Sequence, residues 1–167
     1  IRGQRTPLDN PNAKVIRPYV FWVDPRGSED LDLSVTFVGK GVDKSSGLVS
    51  YRPDVLSYSN LRVGKSCHSG DVRHRQGNCA EYIDIDMEDA ISRGYEYAVI
   101  DVRNFNGGGL KQIQTSFGIM EREFPQSNNT WLPETITSCR SLESMSSNTL
   151  IGIIDLVTKE YIMLDID

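Results

Sequence analysis

The sequence predicts a mainly-β protein: a two-sheet antiparallel β-sandwich with one or two short helices. Short stretches rich in β-branched and aromatic residues recur at roughly regular spacing, and turn-forming segments such as 44–47 and 106–109 separate them. A convincing helical pattern occurs at one place only. The chain therefore lacks the alternation of strands and helices that builds a parallel α/β sheet, and a sandwich is the expected architecture.

The strands follow from their apolar patterns. Apolar residues of both parities run from residue 15 to residue 23, which indicates a strand buried on both faces and ended by the turn at 24–27. The clearest alternation covers 31–38, where every second residue is Leu, Val or Phe, so that one face meets a core and the other faces water. Further strands are predicted at 48–51, 55–58, 81–87, 95–102, 112–120, 150–157 and 161–166, the last two as a hairpin.

One helix is predicted over Met87–Arg93. Asp86 is a suitable N-cap residue, and the acidic first turn with Glu88 and Asp89 favours the helix dipole. Gly94 ends the helix, because glycine readily adopts the left-handed conformation that follows a last helical turn.

Composition and charge restrict the function classes. The chain has 18 basic and 23 acidic residues, a net charge of −5, and so lacks the positive field that nucleic-acid binding needs. No apolar run reaches the roughly 18 residues of a membrane span. An odd count of three cysteines in a chain of this size does not indicate a disulfide framework, which favours a reducing compartment.

The N-terminal segment differs from the rest. Residues 1–13 contain two prolines and no apolar periodicity, so we interpret them as a tail or linker that precedes one domain at 14–167. The chain begins with neither Met nor a leader sequence. We therefore expect it to be either a piece of a longer polypeptide or a mature chain whose start has been removed. Other domains of a longer polypeptide are candidate partners, as is a separate protein.

Paired carboxylates are the first candidate site. Asp30 and Asp32 have the same parity, so their side chains leave one strand face about 7 Å apart, where a Pro-Gly loop enters the strand. Such a pair repels unless a proton or a cation lies between the two groups. A hard cation such as Ca²⁺ suits oxygen donors at this position, and a solvated strand face is the alternative.

A loop from residue 67 to residue 81 is the second candidate. Asp71, Asn78 and Glu81 offer oxygen ligands. The same loop allows a rival zinc site, although its spacing lacks the usual close cysteine pair. The zinc ligands would be Cys67, His68, His74 and Cys79.

Basic residues cluster within 62–75, namely Arg62, Lys65, Arg73, His74 and Arg75, and form either an anion site or a solvated loop. No Ser-His-Asp or Cys-His-Asn arrangement can be argued, so we expect a protein that is not an enzyme.

The order of short motifs resembles a known family. Asp-Leu-Asp-Leu-Ser at 30–34 is followed by Tyr-Ser-Asn-Leu at 58–61, Ser-Gly-Asp at 69–71 and Ala-Glu-Tyr-Ile-Asp-Ile-Asp at 80–86, and then by a β run at 97–102. This succession is similar to the TerD-like domain of tellurium-resistance and stress-response proteins, in its larger, divergent branch. The resemblance covers about residues 14–167.

The resemblance implies a cytoplasmic, non-enzymatic β-sandwich that binds calcium through its loops and mediates protein interactions. By position, Asp30, Asp32, Asp71 and Glu81 correspond to ligands, and Asn78 is a neutral candidate.

The sequence departs from the family between Asp71 and Glu81. Arg73, His74 and Arg75 replace carboxylates there, and Cys79-Ala80 stand where acidic ligands are expected. A positive charge 4–6 Å from a bound cation costs on the order of a few kcal/mol at an effective dielectric near 20. We therefore expect at most one weak calcium site.

Two alternatives stay open. One is a metal-free docking domain in which Arg73 or Arg75 takes the place of the cation. The other is a divalent-metal phosphoesterase in which the 62–75 patch holds the anion.

Overall fold

Two antiparallel sheets build the protein, as the sequence predicts. The computed structural model describes residues 3–42, 45–70, 77–106, 109, 113–123, 135–142 and 146–166. Within these residues, each sheet contains six strands, and one short helix follows the seventh strand. No helix among them is long and apolar enough to cross a membrane.

The strand order differs from the chain order in both sheets. The first sheet runs, in spatial order, β1 (Arg5–Pro7), β12 (Glu160–Ile166), β11 (Asn148–Asp155), β8 (Tyr95–Asn104), β3 (Leu31–Val42) and β4 (Val49–Leu56). The second sheet runs β10 (Ile136–Ser141), β9 (Thr115–Arg122), β2 (Val15–Asp24), β7 (Gly77–Asp86), β6 (Ser66–His68) and β5 (Arg62–Val63).

The core fills the space between the two sheets. The alternating apolar residues predicted at 31–37 are fully buried on the inner face of β3. Ile83 and Ile85 of β7 belong to the same buried cluster from the opposite sheet. Each fully buried Leu, Val, Ile or Phe contributes roughly 1.5–3 kcal/mol to folding, so this alternation fixes which face of each strand points inward.

The helix α1 (Met87–Ser92) confirms the capping prediction. The Asp86 carboxylate accepts a hydrogen bond of 3.0 Å from the backbone N–H of Asp89. The helix ends one residue earlier than predicted, and Gly94 follows with a φ of +89°.

Several elements differ from the sequence prediction. The segment interpreted as a tail contains β1, whose residues pair with 160–162 of β12. The two strands predicted at 48–51 and 55–58 are one strand, β4, which lies at an edge of its sheet and contains Pro53. Sequence reasoning missed β5, β6 and β10, because they are short or polar and depend on pairing with neighbours that lie outside their own segments.

The acidic end of the sandwich as candidate functional site

Carboxylates from separate stretches lie at the end of the sandwich where β2 ends and β3 begins. We call Asp24, Glu29, Asp30, Asp32 and Glu81 the acidic end. The backbone N–H of Leu33 in β3 lies 3.3 Å from Oε1 of Glu81 in β7. The two stretches singled out in the sequence, around residues 30–32 and around residue 81, thus approach each other across the two sheets.

Asp24 shapes the turn between β2 and β3. Its carboxylate accepts hydrogen bonds from the backbone N–H groups of Ser28, at 3.1 Å, and Glu29, at 2.8 Å. The residue is 1% exposed. Asp24 is therefore committed to holding the loop that delivers Asp30 to the start of β3.

Asp30 and Asp32 lie where the sequence places them, at the start of β3. Asp30 is half-buried just before the strand, and its carbonyl accepts a 2.9 Å hydrogen bond from the N–H of Phe105. Asp32 is buried and lies opposite Arg103 of β8 in the strand register. Because its neighbours Leu31 and Leu33 face the core, strand alternation places Asp32 on the outer side of the sheet.

His68 and Glu81 complete the edge of β3. The register of β4 against β3 reaches only as far as Val35, so at Leu33 this edge of β3 has no strand partner. There the Leu33 N–H donates to Glu81 Oε1, and the Leu33 carbonyl lies 3.0 Å from His68 Nε2. Two side chains of the second sheet thus take the place of a neighbouring strand.

The hydrogen bonds of His68 define its tautomer. Nδ1 accepts from the Gly70 N–H at 2.9 Å, so the ring proton is on Nε2, which donates to the Leu33 carbonyl. This pattern describes a neutral imidazole, although Nε2 also lies 3.4 Å from Glu81 Oε1 and both side chains are fully buried. His68 and Glu81 are therefore held next to each other by their separate hydrogen bonds to the Leu33 backbone.

The remaining predicted ligands are distributed differently. Asn78 is exposed on β7, and its odd separation from the inward-facing Glu81 places it on the opposite face of the strand. Asp71, together with Arg73, His74 and Arg75, lies outside the described residues. No group of three or more His, Cys, Asp or Glu side chains that could hold a metal ion occurs among the described residues. The described oxygen donors do not by themselves form a calcium site.

The structure does not favour His68 as a ligand of the alternative zinc site. Both ring nitrogens of His68 are occupied by the Leu33 carbonyl and the Gly70 N–H. Cys67 and Cys79 form no disulfide, and burial raises the pKa of the Cys67 thiol, which disfavours the thiolate that zinc needs. His74 lies outside the described residues.

The structure also places an exposed aromatic pair next to the acidic end, which the sequence analysis did not identify. The rings of Tyr58 and Phe105 meet edge to face with centroids 5.3 Å apart, and they are 44% and 45% exposed. The Arg103 guanidinium lies 5.7 Å from the Phe105 ring centroid. Tyr58 follows β4 and Phe105 follows β8, and these two strands pair with opposite edges of β3. The proximity of the two rings therefore depends on the strand register and could not be read from the sequence.

Comparison with solved structures places the fold. A homologue of the telluride resistance protein TerD from Streptomyces coelicolor A3(2) aligns with a TM-score of 0.63 over 91% of this chain and 88% of its own, at 14% sequence identity. This chain has a TerD-like fold. The resemblance inferred from the motifs is thereby confirmed at the level of architecture.

A second structure with this TerD-like fold is SAV2460, a protein of unknown function. It aligns with a TM-score of 0.58 over 93% of this chain and 92% of its own, again at 14% identity. No family model and no curated protein matches the sequence.

Proposed function

We propose that this chain is a non-enzymatic interaction module that docks a basic protein surface at the rim of its acidic end, where Glu29 and Asp30 are only half-buried. The observation that supports this is the exposed Tyr58–Phe105 pair, which lies beside the Asp30 and Asp32 stretch through the Phe105–Asp30 backbone hydrogen bond. Exposed aromatic rings next to carboxylates suit arginine, whose guanidinium can stack on a ring while it pairs with an acid.

The charges of the protein support the same proposal. The net charge of −5 attracts a basic partner over the range of the Debye length, about 10 Å at 0.1 M salt. The Arg103 guanidinium, 5.7 Å from the Phe105 ring centroid, is an intramolecular example of the same kind of contact. The partner is a separate protein or another domain of a longer polypeptide, and a cytoplasmic stress or tellurite-resistance role is the proposed setting.

A short peptide of alternating arginine and glycine tests docking by fluorescence anisotropy. Phe105→Ala and Tyr58→Ala should each weaken binding about fivefold, and added salt should weaken it further. Ile91→Ala is the matched control, because Ile91 is similarly exposed, at 42%, on α1. Equal weakening by Ile91→Ala, or binding that ignores salt, would contradict the proposal.

A weak calcium ion is the second candidate occupant of the acidic end. Two carboxylates of adjacent outward positions, Asp30 and Asp32, favour it, since a bound cation neutralises their mutual repulsion. Asp71 would supply a further oxygen, whereas Glu81 faces the core and Asn78 the opposite face of β7, so neither joins the outward Asp32 at one ion. In the metal-free alternative, Arg73 or Arg75 supplies the positive charge.

Thermal melting in calcium and in EDTA separates these alternatives. A bound ion raises the melting temperature by mass action, and Asp30→Asn should remove that rise while Glu88→Gln, an exposed carboxylate on α1, keeps it. A melting temperature indifferent to millimolar calcium would contradict the calcium proposal and leave peptide docking in place.

A further inference from the structure

A cavity opens between the sheet edges that lie away from β4 and β5. It has a volume of about 230 Å³ and is lined by residues of β1 and β12 from one sheet and of β9 and β10 from the other. Leu8, Ile119 and Met163 give it apolar walls. None of its lining residues belongs to the acidic end.

Three hydrogen-bond donors without side-chain partners line this cavity. The Thr137 hydroxyl oxygen is buried and has no hydrogen-bond partner. Among the described residues, the Arg140 guanidinium forms no ion pair and the Tyr161 hydroxyl no side-chain hydrogen bond. A buried hydroxyl without a partner, such as that of Thr137, is costly in the free protein and favours a ligand that brings an acceptor.

Two acidic residues line the cavity: Asp9 is exposed, and the buried Glu121 carboxylate already has hydrogen-bond partners. Glu121 accepts hydrogen bonds from the backbone N–H groups of Asp9, at 3.1 Å, and Asn10, at 2.9 Å. Apart from the exposed Asp9, the groups left to recognise a ligand include the Thr137 and Tyr161 hydroxyls, which can donate, and the positively charged Arg140.

A β-bulge brings two of the donors together. Thr137 and Arg140 are three positions apart, an odd separation that places side chains on opposite faces of a regular strand. The register of β10 against β9 shifts between Ile136 and Ser138, and both Thr137 and Arg140 line the cavity. Bulges commonly redirect a side chain in this way beside functional sites.

We propose that this cavity binds a small organic carboxylate. Its carboxylate group accepts hydrogen bonds from Thr137 and from Arg140, and its apolar body packs against Leu8, Ile119 and Met163. The volume is below the roughly 300–1,000 Å³ typical of drug-sized ligands, so the ligand is correspondingly small.

The chemistry of Tyr161 agrees with this ligand class. Burial raises the pKa of the Tyr161 phenol well above its ordinary value, and the nearby Arg140 guanidinium opposes that effect only in part. The phenol therefore stays protonated at neutral pH and remains available as a third donor.

Benzoate is the probe, titrated by calorimetry and by amide chemical shifts, with neutral benzamide as the comparison. We expect benzoate to bind near about 1 mM and to shift the amides of β10 and β12, and benzamide to bind at least tenfold more weakly. Arg140→Gln should weaken benzoate binding about tenfold and Thr137→Val by severalfold. Arg26→Gln, an exposed arginine outside the cavity, should leave it unchanged.

Three results would overturn the proposal. They are equal binding of benzoate and benzamide, equal weakening by Arg26→Gln and Arg140→Gln, and benzoate-induced shifts that spare β10 and β12. Because Arg140 is exposed, Arg140→Gln is expected to fold, and an unchanged melting temperature without ligand verifies this.

Discussion

Leu33 shows how one backbone position joins the two sheets. Its N–H and carbonyl groups are satisfied by Glu81 and His68 of the opposite sheet, where β4 no longer pairs with β3. From sequence, both side chains are chosen as ligand candidates because carboxylate and imidazole bind metals. Their hydrogen bonds to Leu33 depend on where β4 stops, which no local pattern reveals.

His68→Ala and Glu81→Ala should each lower the free energy of unfolding by about 1–3 kcal/mol, because each leaves a buried Leu33 group without a partner. Since the two side chains are in contact, at 3.4 Å, the double variant should cost less than the sum of the single variants. Urea denaturation measures all three. Strict additivity, or an equal loss in Glu88→Ala, would contradict this role.

Elements with strong internal patterns are predictable from the sequence. The alternation in β3 and the cap of α1 are found at the predicted places, because burial and capping act within the segment. By contrast, β6 has three residues and β5 has two, and they exist only because β6 pairs with β7. Asp30 and Asp32, the candidate calcium ligands, are likewise found at the start of a strand, whereas calcium coordination by them stays a prediction.

The hairpin between β11 and β12 depends on Asp155. Its carboxylate accepts hydrogen bonds from Val157 and Thr158 N–H, both at 3.1 Å, and from Arg5 at 2.9 Å. Burial by itself raises the pKa of Asp155, but the bonds from Arg5 and Thr158 outweigh burial and lower it below the ordinary 3.8.

A lowered pKa in the folded state stabilises the fold above the unfolded value, and this contribution is lost as the pH falls through the folded pKa. As the pH falls below about 4, the unfolding free energy of Asp155→Asn should therefore decrease less than that of the wild type. Urea denaturation at a series of pH values measures this, with Glu88→Gln as control. Parallel pH profiles for wild type and Asp155→Asn would refute it.

At the scale of the whole molecule, the N-terminal segment closes one side of the sandwich. β1 pairs with β12, and the N–H groups of Asp9 and Asn10 bind the carboxylate of Glu121, which is 4% exposed. Two prolines and the polar composition of 1–13 concealed this from sequence reasoning, because the partners lie more than 110 positions away.

A chain that begins at Pro11 should lose at least about 3 kcal/mol of unfolding free energy, since it strands a buried carboxylate. Adding Glu121→Gln to the shortened chain should restore part of that loss, because it removes the uncompensated charge. Chemical denaturation of the three chains decides the matter. An unchanged midpoint on shortening would restore the interpretation of 1–13 as a tail.

Pro53 in β4 has a consequence for how copies of the protein meet at high concentration. The outermost strand of a sheet can recruit a strand from a second molecule and start a growing stack, unless something interrupts the ladder. Pro53 offers no amide hydrogen in the middle of β4, so a continuous ladder cannot extend along that border. Pro53 therefore opposes strand-to-strand association of two copies at the edge nearest the Tyr58 turn. The neighbouring aromatic rings can stay exposed there without promoting fibre formation.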